Sequence, residues 1–237
     1  MKKLLKIFLK IVGVLALLGL IGFGVAYAIY NEPIPEGTAG AEADALAIKM
    51  LKAINHEQYQ KTRFLEWSFA GGAHEYKWDK ENGKVVVKWD DYAVNLNLND
   101  TAMSVVEKKG ENLSAKASRD LVNKAWDYFN NDSFWLVAPF KVFDEGTTRS
   151  IVAQEDGSQG LLVHYTSGGS TPGDAYLWKI QPNGFPDSYQ MWVQIIPIGG
   201  LKATWDDWKV MENGLFLPAS HKLGPMTLDM GQVRAYD

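Results

Sequence analysis

The sequence predicts an α+β protein in which one N-terminal transmembrane or signal helix precedes a strongly curved antiparallel β-sheet. The sheet is expected to form a half-barrel of about 10–11 strands, with helices covering its concave face. Three observations support this class: an uncharged apolar run over residues 11–30, repeated period-two alternation between short turns, and two amphipathic helical stretches. A sheet with one apolar face must curl or be covered to hide that face from water.

The N-terminal segment has the charge pattern of a membrane-inserted helix. Four lysines stand within the first ten residues, and no charge follows before Glu32. Twenty helical residues span about 30 Å, the hydrocarbon thickness of a bilayer. Positive charge on the leading side keeps that end in the cytoplasm. We therefore expect an anchor in the bacterial inner membrane through residues 11–30, with the domain facing the periplasm.

The alternative is cleavage of this segment, which would release a periplasmic domain. Ala26-Tyr27-Ala28 has the small-x-small pattern that signal peptidase prefers. The apolar run exceeds the ~7–15-residue core of a signal peptide, which favours the anchor. The chain is thus divided into an anchor or signal peptide at 1–30, a linker at 31–40 and one domain at 41–237.

The first half of the domain reads as a helix followed by a meander. Residues 41–60 place their apolar positions close to one helical face. From Phe64 the period changes to two, and Asn82-Gly83 supplies the positive φ angles of a hairpin turn. The predicted strands of this half lie near residues 64–69, 76–78, 85–89, 92–98 and 103–106.

The second half repeats this order. A helix is predicted over residues 114–130, and the apolar stretch 134–143 is either a short helix or a covering loop. Segment 189–196 is apolar at nearly every position, which predicts a strand covered on both faces. The glycine-rich segment 167–174 is typical of a hairpin loop. The remaining strands are expected near residues 148–153, 161–166, 176–180, 201–210, 215–223 and 233–236.

Composition excludes one class of partner. Beyond residue 30 the chain has 28 acidic residues and, without the four leading lysines, 20 basic ones, which is a formal charge of −8. A nucleic acid would meet repulsion rather than counterion release, so no nucleic-acid partner is expected. The chain has no cysteine, so the exported domain must be held together by its core without disulfides.

The sequence shows no recognisable catalytic or metal-binding constellation. The four histidines share no ligand spacing, and His74-Glu75 lacks the second histidine of a zinc helix. Asp90-Asp91 and Asp206-Asp207 are adjacent, and neighbours on a strand point to opposite faces. We therefore expect a protein that is not an enzyme, with no catalytic residue, no metal and no cofactor.

The spacing of tryptophans suggests a ligand site. Trp67, Trp78 and Trp89 recur every eleven residues on successive predicted strands, which could place them side by side on one face of the sheet. With nine tryptophans, the chain could either fill its core or line a concave apolar cavity. The candidates for lining such a cavity are Trp67, Trp78, Trp89, Leu96, Trp126, Trp178, Met191 and Trp205.

Two stretches carry a family resemblance. Residues 175–193, AYLWKIQPNGFPDSYQMWV, form a strand–turn–strand pattern, and residues 205–218, WDDWKVMENGLFLP, end in Gly-x-x-x-Pro. Both resemble hairpins of the lipoprotein-carrier (Lol-type) superfamily of bacterial envelope proteins, in a Bacteroidota-like branch. The resemblance implies a half-barrel with a helical lid over a hydrophobic cavity, and a role in carrying an amphiphile such as an acyl chain.

Three functions follow as hypotheses. The first is a non-enzymatic envelope protein that binds or carries a lipid or other amphiphile in an aromatic-lined cavity. The second is a membrane-tethered protein-interaction module that uses an outer face or edge of the sheet. The third is a hydrolase acting on glycans or lipids through carboxylates, for which the candidates are Glu66, Glu75, Asp206 and Asp207.

Overall fold

A computed structural model of the chain describes residues 2–168 and 171–237. Helix α1, Lys2–Tyr30, stands apart from the rest of the molecule. Its segment Leu5–Tyr30 is, among the described residues, the single helix long and apolar enough to cross a membrane, and none of it is buried by the domain. The expected N-terminal apolar helix is therefore confirmed, in a form that suits a membrane anchor or a signal sequence.

The predicted helix at residues 41–60 is divided into two. Helix α2 is Ala41–Ala53 and helix α3 is His56–Lys61. Asn55 breaks the helix because its backbone is left-handed, with φ at 60°, a region that asparagine tolerates better than most residues. The Asn55 Nδ2 amide donates to the Gly214 carbonyl at 3.0 Å, which fixes the break against the second half of the chain.

The second predicted helix is longer than expected. Helix α4 is Ala115–Val137, and a 3₁₀ turn at Ala138–Lys141 follows it. The apolar stretch at 134–143 is thus the end of α4 plus this turn, because Pro139 stands in the first turn of the 3₁₀ segment, where its missing N–H is no loss.

The strands form two large antiparallel sheets and a two-stranded ribbon. The first sheet has eight strands in the order β1-β8-β9-β10-β11-β12-β15-β16, and the second has seven in the order β17-β2-β3-β4-β5-β6-β7. In chain order the strands are β1 Thr38–Ala39, β2 Phe64–Phe69, β3 His74–Asp79, β4 Lys84–Trp89, β5 Tyr92–Asn97, β6 Val105–Lys108, β7 Glu111–Asn112, β8 Thr147–Ala153, β9 Gln159–Tyr165, β10 Ala175–Ile180, β11 Pro186–Trp192, β12 Leu201–Thr204, β13 Trp208–Val210, β14 Phe216–Pro218, β15 Ser220–Leu223, β16 Met226–Asp229 and β17 Arg234–Tyr236.

The prediction of a single sheet of about 10–11 strands is therefore wrong. The structure has more strands than predicted, and they form separate sheets. The two halves of the chain each build their own sheet, with α4 between them in sequence. The α+β class and the antiparallel pairing are confirmed. Among the described strands, β17 crosses back to the first half, where it pairs with β2, and β1 crosses forward to pair with β8.

The register of the second sheet places its three tryptophans on one face but in different rows. Trp67 lies opposite Tyr76, Trp78 lies opposite Leu65, and Trp89 lies opposite Tyr92. The eleven-residue spacing thus predicts the shared face correctly. It does not put the indole rings side by side, because each hairpin shifts the next tryptophan along the strand.

Both sheets turn one face toward a common core. This core takes buried side chains from α2, α4 and both sheets. A smaller cluster lies on the opposite face of the first sheet and includes Leu162, Leu177 and Trp192. Strand β11 contributes Tyr189 and Met191 to the common core and Trp192 to the smaller cluster. The expectation of a strand buried on both faces near 189–196 is confirmed for this part.

Candidate ligand cavity

A cavity of about 850 Å³ lies between α4 and the inner faces of both sheets. Phe69, His74 and Trp78 come from the second sheet, and Tyr176, Tyr189 and Met191 come from the first. The C-terminal half of α4 forms a third wall with residues 127–135 and Val137. The remaining border comes from segment 141–145 and from the described parts of the loops 166–174 and 193–200, which join neighbouring strands at one end of the first sheet.

Aromatic rings form the apolar wall on the side of the first sheet. Tyr176 packs against Phe134 at 4.7 Å, Tyr165 at 5.7 Å and Tyr189 at 5.1 Å between ring centroids. These tilted and edge-to-face contacts hold the rings in place. The aromatic wall on this side of the cavity is therefore preformed.

A buried carboxylate is the polar centre of the opposite wall. Asp132 of α4, whose side chain is 2% exposed, accepts the Tyr76 hydroxyl at 2.6 Å and lies 2.6 Å from His74 Nδ1. Its other oxygen accepts the Asn131 amide at 2.8 Å. Burial and the neighbouring Asp132 charge raise the pKa of Tyr76, so this hydroxyl remains a donor. His74 also stacks on Tyr128, with ring centroids 3.8 Å apart.

A second buried carboxylate joins the two loops at the border. Asp174 accepts the Thr171 hydroxyl at 2.6 Å through one oxygen and the Gln194 backbone N–H at 2.9 Å through the other. The two loops are thereby connected to each other. Nearby, the Tyr165 hydroxyl is buried and has no hydrogen-bond partner among the described residues, and burial raises its pKa.

The charge of the cavity wall is negative. The described lining residues include five carboxylates and a single lysine, Lys141, which pairs with Asp144. The other four carboxylates are Asp127, Asp132, Glu145 and Asp174. An anionic group would be repelled at this wall, whereas hydrogen-bond donors and cations would find acceptors.

The structure places two of the eight predicted cavity residues at this cavity, Trp78 and Met191. Trp178 and Trp205 are fully buried and meet edge to face at 5.0 Å, and Trp67 stacks on Tyr76 at 4.5 Å. Three predicted residues remain. Leu96 is fully buried in the core, and Trp126 is half-buried and packs against that core. Trp89 borders a separate, shallower concavity.

The four carboxylates weighed for a hydrolase lie outside the cavity wall. Glu66 accepts from Tyr236 and from Lys77, and Asp207 accepts from Ser220 at 2.8 Å and pairs with Lys209 at 2.6 Å. Glu75 borders the shallower concavity, and Asp206 is exposed to solvent. Among the described residues, no group of three His, Asp or Glu side chains is arranged to hold a metal ion.

Sequence reasoning missed Asp132 and Asp174 as members of the site. A signal for Asp132 was present, since it lies three residues after Phe129 and four before Leu136, on the apolar stripe of α4. A carboxylate on a buried helical stripe needs partners, which His74 and Tyr76 provide. The glycine-rich loop 167–174 read only as a hairpin; Gly169 and Ser170 within it lie outside the described residues.

Comparison of the chain with models of known protein families and with curated proteins finds no match.

Proposed function

We propose that this protein is a non-enzymatic, membrane-anchored envelope protein that binds an amphiphile in the cavity beside α4. The observation that carries the proposal is the cavity itself, about 850 Å³ in volume and walled by packed aromatic rings. Sites for small molecules usually measure about 300–1,000 Å³ and combine an apolar wall with a few placed polar groups. The Asp132 cluster and Asp174 supply those polar groups here.

The wall also defines the class of ligand. One acyl chain or a comparable apolar body fits against Tyr176, Met191 and Val193. The polar end of the ligand would meet the carboxylates of the cavity wall. A neutral hydroxylated or cationic head group therefore suits the cavity better than a carboxylate or phosphate.

The proposal includes the architecture and the location. The two sheets act together as the curved wall expected of a half-barrel, with α4 over the concave side. The domain is held on the periplasmic side of the inner membrane by α1. The resemblance of the hairpins at 175–193 and 205–218 to lipoprotein carriers supports this assignment by analogy.

The test is native mass spectrometry of the full chain, extracted with its surrounding lipids in a styrene–maleic acid copolymer and therefore without detergent. We expect one amphiphile to remain bound after the boundary lipids have been released. Met191→Trp places an indole in the cavity, since Met191 is 2% exposed and lines it, and should lower the bound fraction several-fold.

Met226→Trp is the matched control, because Met226 is 56% exposed on β16 and lies outside the cavity wall. It should leave the bound fraction unchanged. A chain that never retains an amphiphile, or one whose adduct is the same in both variants, would show that lipid contacts only α1. In that case a tethered interaction module would be the better description.

A further inference from the structure

The residues that follow α1 are fixed to one end of the first sheet. The Asn31 backbone N–H still donates to Tyr27 at 2.9 Å, so the helical geometry continues to this residue. The Gly199 N–H donates to Asn31 Oδ1 at 2.8 Å, and the Glu32 N–H donates to the Gly199 carbonyl at 3.1 Å. The domain is therefore attached directly at the end of the apolar helix rather than through a free linker.

Side chains of β11 complete this attachment. The Trp192 indole N–H donates to the Glu32 carbonyl at 2.7 Å, and the Gln190 amide donates to the Glu32 carboxylate at 3.0 Å. Beyond these contacts, β1 pairs with β8, so the segment assigned to a linker at 31–40 is also attached to the first sheet near its end. Two successive residues thus make four hydrogen bonds to the β11–β12 hairpin.

The close approach requires glycine at position 199. A Cβ atom there would lie 2.4 Å from Trp192 Cδ1 and 2.9 Å from the Glu32 carbonyl oxygen. Both distances are below van der Waals contact, and the second neighbour is backbone that is itself hydrogen-bonded. The hairpin and the end of α1 are therefore shaped for each other.

The loop at this attachment also borders the cavity. Segment 193–198, VQIIPI, carries no charge, and Val193, Ile195 and Ile196 line the cavity. Ile195 is nevertheless 67% exposed to solvent, so it faces outward beside the cavity border. The second border loop, 166–174, is joined to it through Asp174. The border of the cavity and the exit of the anchor are therefore on the same end of the domain.

We propose that this end of the domain rests on the bilayer, with the uncharged loop 193–198 in contact with lipid and the cavity opening toward the membrane surface. A helix rises about 1.5 Å per residue, so Asn31 lies at the head-group level when α1 spans the membrane. The loop that is hydrogen-bonded to Asn31 must then lie at the same level. There, transfer of the exposed Ile195 side chain from water to lipid is favourable in free energy. Given the proposed function, the amphiphile passes between cavity and outer leaflet without crossing water.

Because the chain has no cysteine, a single introduced cysteine can be labelled specifically to test this orientation. Ile195→Cys in the full chain is labelled with a nitroxide and reconstituted into phosphatidylcholine vesicles. Electron paramagnetic resonance then compares collisions of the label with oxygen, which concentrates in the bilayer, and with a water-soluble nickel chelate. We expect the oxygen-to-nickel ratio at position 195 to be several-fold higher than at a water-exposed site.

Met103→Cys is the matched reference, because Met103 is 69% exposed and lies between β5 and β6 of the second sheet. Adding Gly199→Ala to Ile195→Cys should release the loop from the end of α1. The oxygen-to-nickel ratio at position 195 should then move toward the ratio at position 103. Equal ratios at 195 and 103 in the otherwise unaltered chain would overturn the proposal. Since that result leaves the mass-spectrometric adduct untouched, failure of the orientation and failure of ligand binding can be told apart.

Discussion

At the scale of single residues, Asp132 is the group on which the polar side of the cavity depends. It is the acceptor for the Tyr76 hydroxyl, which is buried, and for the His74 ring, which is partly buried. Removing a shared acceptor leaves each donor with its full desolvation penalty. The cluster therefore holds α4 against β3 and fixes the polar groups of the cavity wall in place.

We expect Asp132→Ala to lower the free energy of unfolding by about 3 kcal/mol, since the buried Tyr76 hydroxyl and the partly buried His74 ring lose their shared partner. Urea unfolding followed by tryptophan fluorescence measures this change. Asp120→Ala, an exposed aspartate on the same helix, is the control and should change stability by no more than about 0.5 kcal/mol. Equal losses in the two variants would show that the cluster contributes nothing.

His221 gives the fold a pH dependence. It is fully buried, and its two ring nitrogens lie 2.7 Å from the carbonyl oxygens of Thr204 and Trp135. Burial lowers the pKa of His221 below 6.5, although these carbonyls and the nearby Asp206 and Asp207 oppose the shift. The unfolded chain then binds the proton more readily, so the free energy of unfolding should fall as the pH drops below about 6.5.

The check is a series of urea titrations between pH 7 and pH 5. His221→Gln should lower stability by about 1–3 kcal/mol at pH 7, because a buried acceptor loses its donor, and should flatten the slope below pH 6.5. The unsubstituted chain, titrated in parallel, gives the reference slope. If His221→Gln retains the full slope, the proton is taken up elsewhere.

The sequence predicted correctly which face of the sheet each tryptophan occupies. It did not predict which residues each tryptophan contacts. The tryptophan spacing identified one face of the second sheet, because the period of a strand and the length of a hairpin are both local properties. Whether an indole on that face packs in the core, as Trp67 does, or borders a cavity, as Trp78 does, depends on where α4 crosses the sheet. That placement is set by distant contacts such as Asp132 with His74.

At the scale of elements, the end of α1 and the β11–β12 hairpin act as one unit. Gly199→Ala should disrupt them, because the added Cβ would clash with Trp192 and with the Glu32 backbone. Hydrogen exchange measured by mass spectrometry should then show faster exchange, by about tenfold or more, at the Glu32 and Gly199 amides, which corresponds to at least 1.4 kcal/mol of lost protection.

Gly157→Ala is the control for that substitution. Its backbone φ is positive, at 80°, which strains an alanine, but an added Cβ meets nothing within 4 Å. It should strain the β8–β9 turn and leave exchange at Glu32 unchanged. Unchanged exchange in Gly199→Ala as well would mean that the segment after α1 is not docked in solution.

Element boundaries show which local signals were sufficient. The turn before β4 and the strands on either side of it follow from turn chemistry and alternation, although Gly83 has the expected positive φ and Asn82 does not. The break at Asn55 was missed, since its left-handed backbone is supported by a hydrogen bond to Gly214, far away in the sequence. The end of α4 was placed at residue 130, too early, because the polar pair Asp132-Ser133 interrupts the apolar pattern, whereas in the structure both residues are buried within the helix.

At the scale of the whole molecule, the strand count and the pairing of the chain ends were not predictable from local patterns. Strand β1 joins β8, and β17 joins β2, although both pairs are far apart in the sequence. Alternation indicates that a strand has one buried face, but it does not say which sheet that face belongs to. The division into two sheets around a common core therefore became visible only in three dimensions.

The negative wall of the cavity leads to a prediction for ligands. We expect a neutral monoacylglycerol to bind the full chain more tightly than the fatty-acid anion of the same chain length, by about tenfold or more at low salt. Added salt should narrow the difference, because it screens the carboxylates near the cavity border. Competition against the native adduct in mass spectra measures both. Tighter binding of the anion would contradict the assigned head-group class.

Photo-crosslinking in the intact membrane, from two buried methionine positions, tests most directly whether the cavity beside α4 holds an amphiphile. A benzophenone amino acid at position 191 faces the cavity, whereas one at position 211 lies in the core, where Met211 is 9% exposed. We expect a lipid-mass adduct on the peptide that contains residue 191 and none on the peptide that contains residue 211. Crosslinks from position 191 to protein alone would contradict it.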